Sequence, residues 1–132
     1  MDLWDQYKSS VFLCHQRLGQ DISFAIISAQ NPAGDLHHPS QNLLLDKHFS
    51  DFLDQLNLPY RAIIGCSPDL SFQEKSWAVL CEKSKAVDLA IRFKQNAIYW
   101  VEAGKLFLVP ALLQHQEEYL GAFYPRQIVL AE

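Results

Sequence analysis

The sequence predicts an α+β fold of the split β-α-β type, and three observations lead there. Between residues 22 and 110 the apolar period switches between two and 3.6, in the order strand, helix, strand, strand, helix, strand. The segment "ISFAIISA", Ile22 to Ala29, is apolar on both alternating faces, as a central strand covered on both sides must be. The stretch "AIYWVEAGKLFLV" places two runs rich in β-branched and aromatic residues around Ala103-Gly104, which reads as a hairpin.

Each element follows in turn. Residues 2–18 carry Trp4, Tyr7, Val11, Cys14 and Leu18 at steps of three and four, one helical stripe that Gly19 ends. After the first core strand, Pro32, Gly34 and Pro39 mark residues 31–40 as a loop. Ser40 is placed to cap a helix over about 41–57, whose stripe is Leu45, Phe49, Phe52 and Leu56 with Leu44 and Leu53 alongside, stopped by Asn57 and Pro59. "YRAIIGCS" is a short strand closed by Gly65 and the turn Ser67-Pro68-Asp69, and "SWAVLCE" is the next strand. Ser84 is placed to cap a helix reaching Gln95 and buried through Val87, Ala90 and Ile91. The tail, 111–132, holds one candidate strand, "QIVLA". The expectation is a ferredoxin-like split β-α-β sandwich with its first and third core strands central and both core helices on one face. An N-terminal helix (1–20) and a C-terminal tail (111–132) flank the α+β core (21–110), and one or the other is expected to cover the other face. No repeat or linker divides the 132 residues, so one domain is expected.

Composition narrows the class. Apolar residues make up 49% and charged residues 20%, an ordinary globular balance with enough chain for one core. A net charge of −4, with no run of Lys or Arg, argues against a nucleic-acid partner held by a broad basic field. Three dispersed cysteines, Cys14, Cys66 and Cys81, suit neither a disulfide framework nor a Cys-rich zinc site. The start "MDLWDQYKSS" lacks the basic region of a secretory leader, and no stretch approaches a membrane span, so a reduced, cytoplasmic setting without a membrane partner is expected. No cofactor fingerprint occurs.

Topology then gathers polar residues. With the first core strand running up, its end meets the end of the second strand, the start of the third and the end of the second core helix at one edge. That edge carries the candidate site residues Gln30 and Asn31, Ser67 and Asp69, Glu74 and Ser76, and Arg92, Gln95 and Asn96, with Ser28 also at the end of the first strand. Carboxylates, amides, hydroxyls and a guanidinium beside glycine are the mixture a small-molecule site uses to fix orientation. The competing structural account is that the asparagines satisfy loop backbone and that Glu74 pairs with Arg92 as scaffold. Glu74, between aromatic Phe72 and Trp77, is the candidate acid or base. Asp69 follows Pro68 and has a turn-shaping reading beside the functional one. Weaker alternatives are a Cys66 nucleophile with His37 or His38, and a metal at Asp35-Leu36-His37-His38, where adjacent histidines tend to point apart. Tyr99, Trp100 and Phe107 read as sheet packing.

The stretches "AIISAQNP", "GCSPD", "EKSWAV" and "LAIRFKQNAIYWV" together resemble a bacterial family of uncharacterised proteins, domain of unknown function 3293, over about Ile22 to Val109. The resemblance implies family motif positions at Asn31, Pro32, Asn42, Gly65, Asp69, Glu74, Ser76, Arg92, Gln95 and Asn96. It implies no chemistry, because the family has no assigned activity. The functional expectation is a domain binding a small polar or anionic ligand at the polar edge. Arg92 would engage an anionic group, Asn31, Gln95 and Asn96 would set orientation, and Glu74 and Asp69 would accept from donors. Two alternatives stand beside it: a small hydrolase or transferase at the same edge with Glu74 as general base, and a protein-interaction module using the open sheet face or an edge strand, with the polar edge structural.

Overall fold

The computed structural model describes residues 2–130. Its elements are α1 (Leu3–Tyr7), β1 (Val11–Cys14), β2 (Phe24–Ile27), α2 (Pro39–Gln55), β3 (Tyr60–Cys66), β4 (Gln73–Val79), α3 (Lys83–Arg92), β5 (Ala97–Glu102), β6 (Lys105–Pro110), β7 (Glu118–Ala122) and β8 (Gln127–Val129). The fold is α+β: one eight-stranded mixed sheet ordered β7-β6-β5-β2-β4-β3-β1-β8, with few helices. In its middle, β5-β2-β4-β3 are all antiparallel neighbours, with β2 and β4 internal: β2 is buried throughout, and Trp77, Ala78 and Val79 of β4 alternate between the two cores. The β5–β6 hairpin pairs from Ala97↔Pro110 to Glu102↔Lys105, around Ala103-Gly104.

The N-terminal helix over 2–18 is not formed. Helix α1 lasts five residues, and Val11–Cys14 is a strand, antiparallel to β3 and parallel to β8. Ser9 and Ser10 interrupt the helix, and the β-prone "VFLC" gains a full ladder partner on each side, which outweighs a stripe matching in spacing alone. The tail supplies two strands rather than one, β7 as well as β8. His38, not Ser40, caps α2: its Nδ1 accepts from the Ser40 backbone N–H at 3.1 Å, and the His38 N–H donates in turn to Gln41 Oε1 at 3.2 Å. Helix α3 begins at Lys83, with Glu82 at its cap and no side-chain capping bond.

Two cores lie on opposite faces of the sheet. On the first, Phe49 and Leu53 of α2 and Ala86, Leu89 and Ala90 of α3 pack on Ala25, Ile27, Trp77, Val79, Ile98 and Trp100. Leu44 and Ile91, expected here, are exposed. On the second face the sheet covers itself. Phe12 of β1 and Tyr99 of β5 are four strand spacings apart along the sheet, roughly 19 Å if it were flat. Their rings are 5.0 Å apart, edge to face. The sheet is therefore curled, and Phe12, Phe24, Ile26, Ile63, Leu106 and Phe123 fill the inside of the curl.

Candidate functional site

The curl is not filled to its end. Where β2, β4 and β5 meet α1, a cavity of about 590 Å3 remains, within the range of small-molecule sites. Its floor is the alternation of β4 and its neighbours. Lys75, Trp77 and Val79 point to the helices, so Glu74 and Ser76 point into the curl. Gly65, in register with Glu74 and Phe12, leaves the floor open: a Cβ there would meet nothing nearer than 3.9 Å. Ser28 and Tyr99 line the same inner face.

One wall is the loop after β2. Asn31 takes the left-handed conformation, φ 48° and ψ 60°, which asparagine tolerates better than most residues. It is held by Asn42 of α2 in a reciprocal pair: the Asn31 N–H donates to Asn42 Oδ1 and Asn42 Nδ2 donates to Asn31 Oδ1, both at 2.9 Å. Asn31 Oδ1 also accepts from the His37 N–H at 3.0 Å. The loop is pinned to the end of α3 by the Ala33 N–H on the Lys94 carbonyl, 2.7 Å, and by Gln95 Nε2 on the Gln30 carbonyl, 3.2 Å. Gly34 sits at φ +79°, and a Cβ there would come within 3.0 Å of both Asn96 Nδ2 and a Leu3 methyl.

The opposite wall comes from residues 3–10. Asn96 Nδ2 donates to the Tyr7 hydroxyl at 3.1 Å, and the Tyr99 hydroxyl lies 2.7 Å from both the Tyr7 carbonyl and Ser10 Oγ. Arg126 braces this segment from outside, donating to the Lys8 carbonyl at 2.7 Å and the Ser10 carbonyl at 3.1 Å. Trp4 stacks on His115 and Lys8 pairs with Glu118 at 2.8 Å, which ties the same segment to the tail.

Glu74 is the one formally charged side chain among the described residues lining the cavity. Burial pushes its carboxyl above the ordinary value, while hydrogen bonding to the Ser28 and Asn31 side chains pulls the other way. Burial likewise raises the Tyr7 and Tyr99 hydroxyls, and Glu74's negative charge adds to that. Among the described residues, none of the ion pairs includes Glu74.

Six of the nine residues expected at the polar edge line this cavity: Asn31, Ser67, Glu74, Ser76, Gln95 and Asn96. Three stand outside it. Arg92 lies exposed on the helix face, its guanidinium 4.2 Å above the Phe52 ring, so it does not face the cavity as expected, and the Glu74–Arg92 pair of the competing structural account is absent as well. Asp69 is exposed and accepts from Ser67 Oγ at 2.8 Å and from the Ser71 N–H and Oγ at 3.0 and 2.7 Å. Those bonds hold its carboxyl down at about 2, and they shape the β3–β4 turn. Gln30 contributes its backbone carbonyl rather than its side chain. Cys66 lines the cavity with its thiol pushed up by burial, the reverse of an activated nucleophile. His37 and His38 are engaged with the Asp35 carbonyl and the α2 cap, and among the described residues no three potential ligands cluster as a metal site.

Sequence reasoning missed Tyr7, Ser10 and Tyr99, and it placed Ser28 at this edge without naming it among the site residues. Ser28 carried a signal, since it shares parity with Ile26 at the end of β2. Tyr7 carried none, because it sat on the apolar stripe of a helix expected over 2–18, of which only Leu3–Tyr7 forms.

No helix among the described residues is long and apolar enough to cross a membrane. No curated protein matches the chain, and no solved structure matches it. One family model does, described as a protein of unknown function (DUF3293), over residues 27–98. The match takes in the floor and loop wall of the cavity, from Ser28 to Asn96, and leaves out α1 and the tail. Because it spans more than half of its length, the chain belongs to the DUF3293 family of proteins of unknown function.

Proposed function

We propose that the chain is a small-molecule-binding domain whose ligand occupies the open end of the curl. The single observation that carries this reading is a cavity of about 590 Å3 with a half-buried carboxylate, Glu74, that forms no ion pair with a cationic side chain among the described residues. A group held in this way destabilises the empty protein and is compensated when a ligand meets it. Ser76, Asn31 and Asn96 surround it as orienting groups, and the inner-face aromatic rings supply apolar contact. The four strands β5-β2-β4-β3 with α2 and α3 read as a ferredoxin-like core, to which β1, β6, β7 and β8 are added to close the curl. A cytoplasmic, bacterial setting belongs to the same reading, as does the lack of any nucleic-acid, membrane or cofactor requirement.

A second reading, a small hydrolase or transferase, is favoured by one feature. Burial moves Glu74 toward the range in which a carboxylate serves as general base near neutral pH. Of the two surfaces an interaction module would use, the second sheet face is turned inward, which leaves the edge strands β7 and β8 for that reading.

The test is a cavity-filling variant. Gly65→Leu grows its side chain past Ser76 Oγ and Phe12 into the cavity. Small molecules released from the purified wild-type protein are identified by mass spectrometry, added back, and followed by thermal shift. A saturable rise in melting temperature that Gly65→Leu abolishes supports the reading. A rise that persists in Gly65→Leu, or its absence in the wild type against a broad metabolite set, contradicts it.

A further inference from the structure

The charge balance of the cavity is one-sided. The described side chains that line it include Glu74 and no lysine, arginine or histidine. Two cations that sequence or topology sets beside Glu74 are committed to the other face of the sheet, and Arg126, whose charge reaches the Tyr99 hydroxyl, is spent on the Lys8, Ser10 and Leu120 carbonyls. Lys75, the next residue along β4, reaches Asp46 Oδ2 at 3.0 Å and lies 4.2 Å over the Trp77 ring. Arg92 lies over Phe52. The hydroxyl of Ser76, beside Glu74 on the floor, gives its proton to the Glu74 backbone carbonyl at 3.3 Å, so it offers the cavity lone pairs. Both groups at this spot accept.

The entrance has a different character. Leu36 is 79% exposed, Phe72 45% and Leu3 37%, and all three line the same cavity. These three side chains give the exposed part of the lining a large apolar share, beside polar Gln6 and Ser9.

Resting on the ligand-binding reading above, we propose that the ligand is an organic amine: an ammonium group donating to Glu74 and Ser76, carried on a compact apolar or aromatic body that lies against Phe12, Leu36 and Phe72. An ammonium supplies the charge the cavity lacks, and its several donors match the acceptors at the floor. A carboxylate or phosphate ligand would instead face Glu74 with no cationic side chain to offset it.

The experiment titrates the whole protein at pH 7.5 with phenethylamine, 2-phenylethanol and phenylacetate, three probes of one shape carrying a cation, a neutral hydroxyl and an anion. Calorimetry or ligand-observed NMR reads affinity. Phenethylamine is expected to bind at least tenfold more tightly than 2-phenylethanol, and phenylacetate more weakly than either. Glu74→Gln is expected to remove the tenfold preference while keeping binding of the alcohol, and Gly65→Leu to remove binding of both. Equal or tighter binding of the alcohol or the carboxylate overturns the amine assignment and leaves the ligand site standing. An amine preference that survives in Glu74→Gln places the cation elsewhere and also overturns it. Failure of all three probes to bind at millimolar concentration overturns the assignment and the ligand site together. Melting curves of both variants confirm that each reading comes from folded protein.

Discussion

Strand β4 presents two acidic environments, one on each face, and they are opposites. On the helix face, Asp46 of α2 is 5% exposed, accepts the Trp77 indole N–H at 2.8 Å and holds Lys75 at 3.0 Å. Every acceptor of that carboxylate has work within the fold. On the inner face, Glu74 is the neighbour in sequence of Lys75 and shares none of it: its surroundings are a cavity, two hydroxyls and an asparagine amide. The difference teaches which buried charge belongs to stability and which to binding. A carboxylate with a cation and an indole in place is scaffold, and one held by desolvation beside empty space is a site.

The comparison is sharpened by breaking each side. The largest loss is expected in the helix-face core, where Phe49 and Leu53 are fully buried. Phe49→Ala should cost about 3–5 kcal/mol and Leu53→Ala about 2–5 kcal/mol in urea melts. Phe52, half-buried under Arg92, should cost less than either. Next comes Asp46→Ala, which strips the Trp77 indole of its acceptor and should cost about 1.5–3 kcal/mol. The Lys75 share of that is small, because the lysine is 41% exposed. Gly34→Ala should cost about 1–2 kcal/mol, since it places a Cβ at positive φ against Asn96 and Leu3. Hydrogen exchange should show that loss as faster opening of residues 3–10, which face the same loop.

The split between the two faces was partly legible in the sequence. The order of the four middle strands follows from periodicity and from the direction each connection imposes, and those same rules brought Asn31, Glu74, Ser76 and Asn96 to one end. They could not say which face of the sheet each side chain takes, and that separates Glu74 from Arg92. Arg92 was placed by chain position at the end of α3, but a helix end offers several directions, and the Phe52 ring decides this one. Residues 2–18 misled because a short strand and a helical stripe share apolar spacing over ten residues. The pairing of Val11–Cys14 with β3 and β8 is a long-range contact that no local pattern encodes. The curl is equally non-local: Phe12 meets Tyr99 across 87 positions, and the cavity exists only because of that closure.

The most direct measurement is the melting of Glu74→Gln beside wild type across pH 3 to 8. Burial places the folded-state value of Glu74 above its ordinary 4.5. The protonated form is therefore the one the fold favours. Its contribution is fully present below the unfolded value and is lost as pH rises through the elevated folded one. Tyr7 and Tyr99, which also sense this charge, have their own values raised and titrate far above this window. Glutamine keeps the shape and never ionises. The account predicts coincident melting near pH 3, and a variant at least as stable as wild type at pH 7, with the gap opening as Glu74 ionises. A Glu74→Gln protein melting more than about 5 °C below wild type at pH 7 would be a loss of about 1 kcal/mol or more. Glu74 would then be scaffold like Asp46, and the cavity would not be a site built around it.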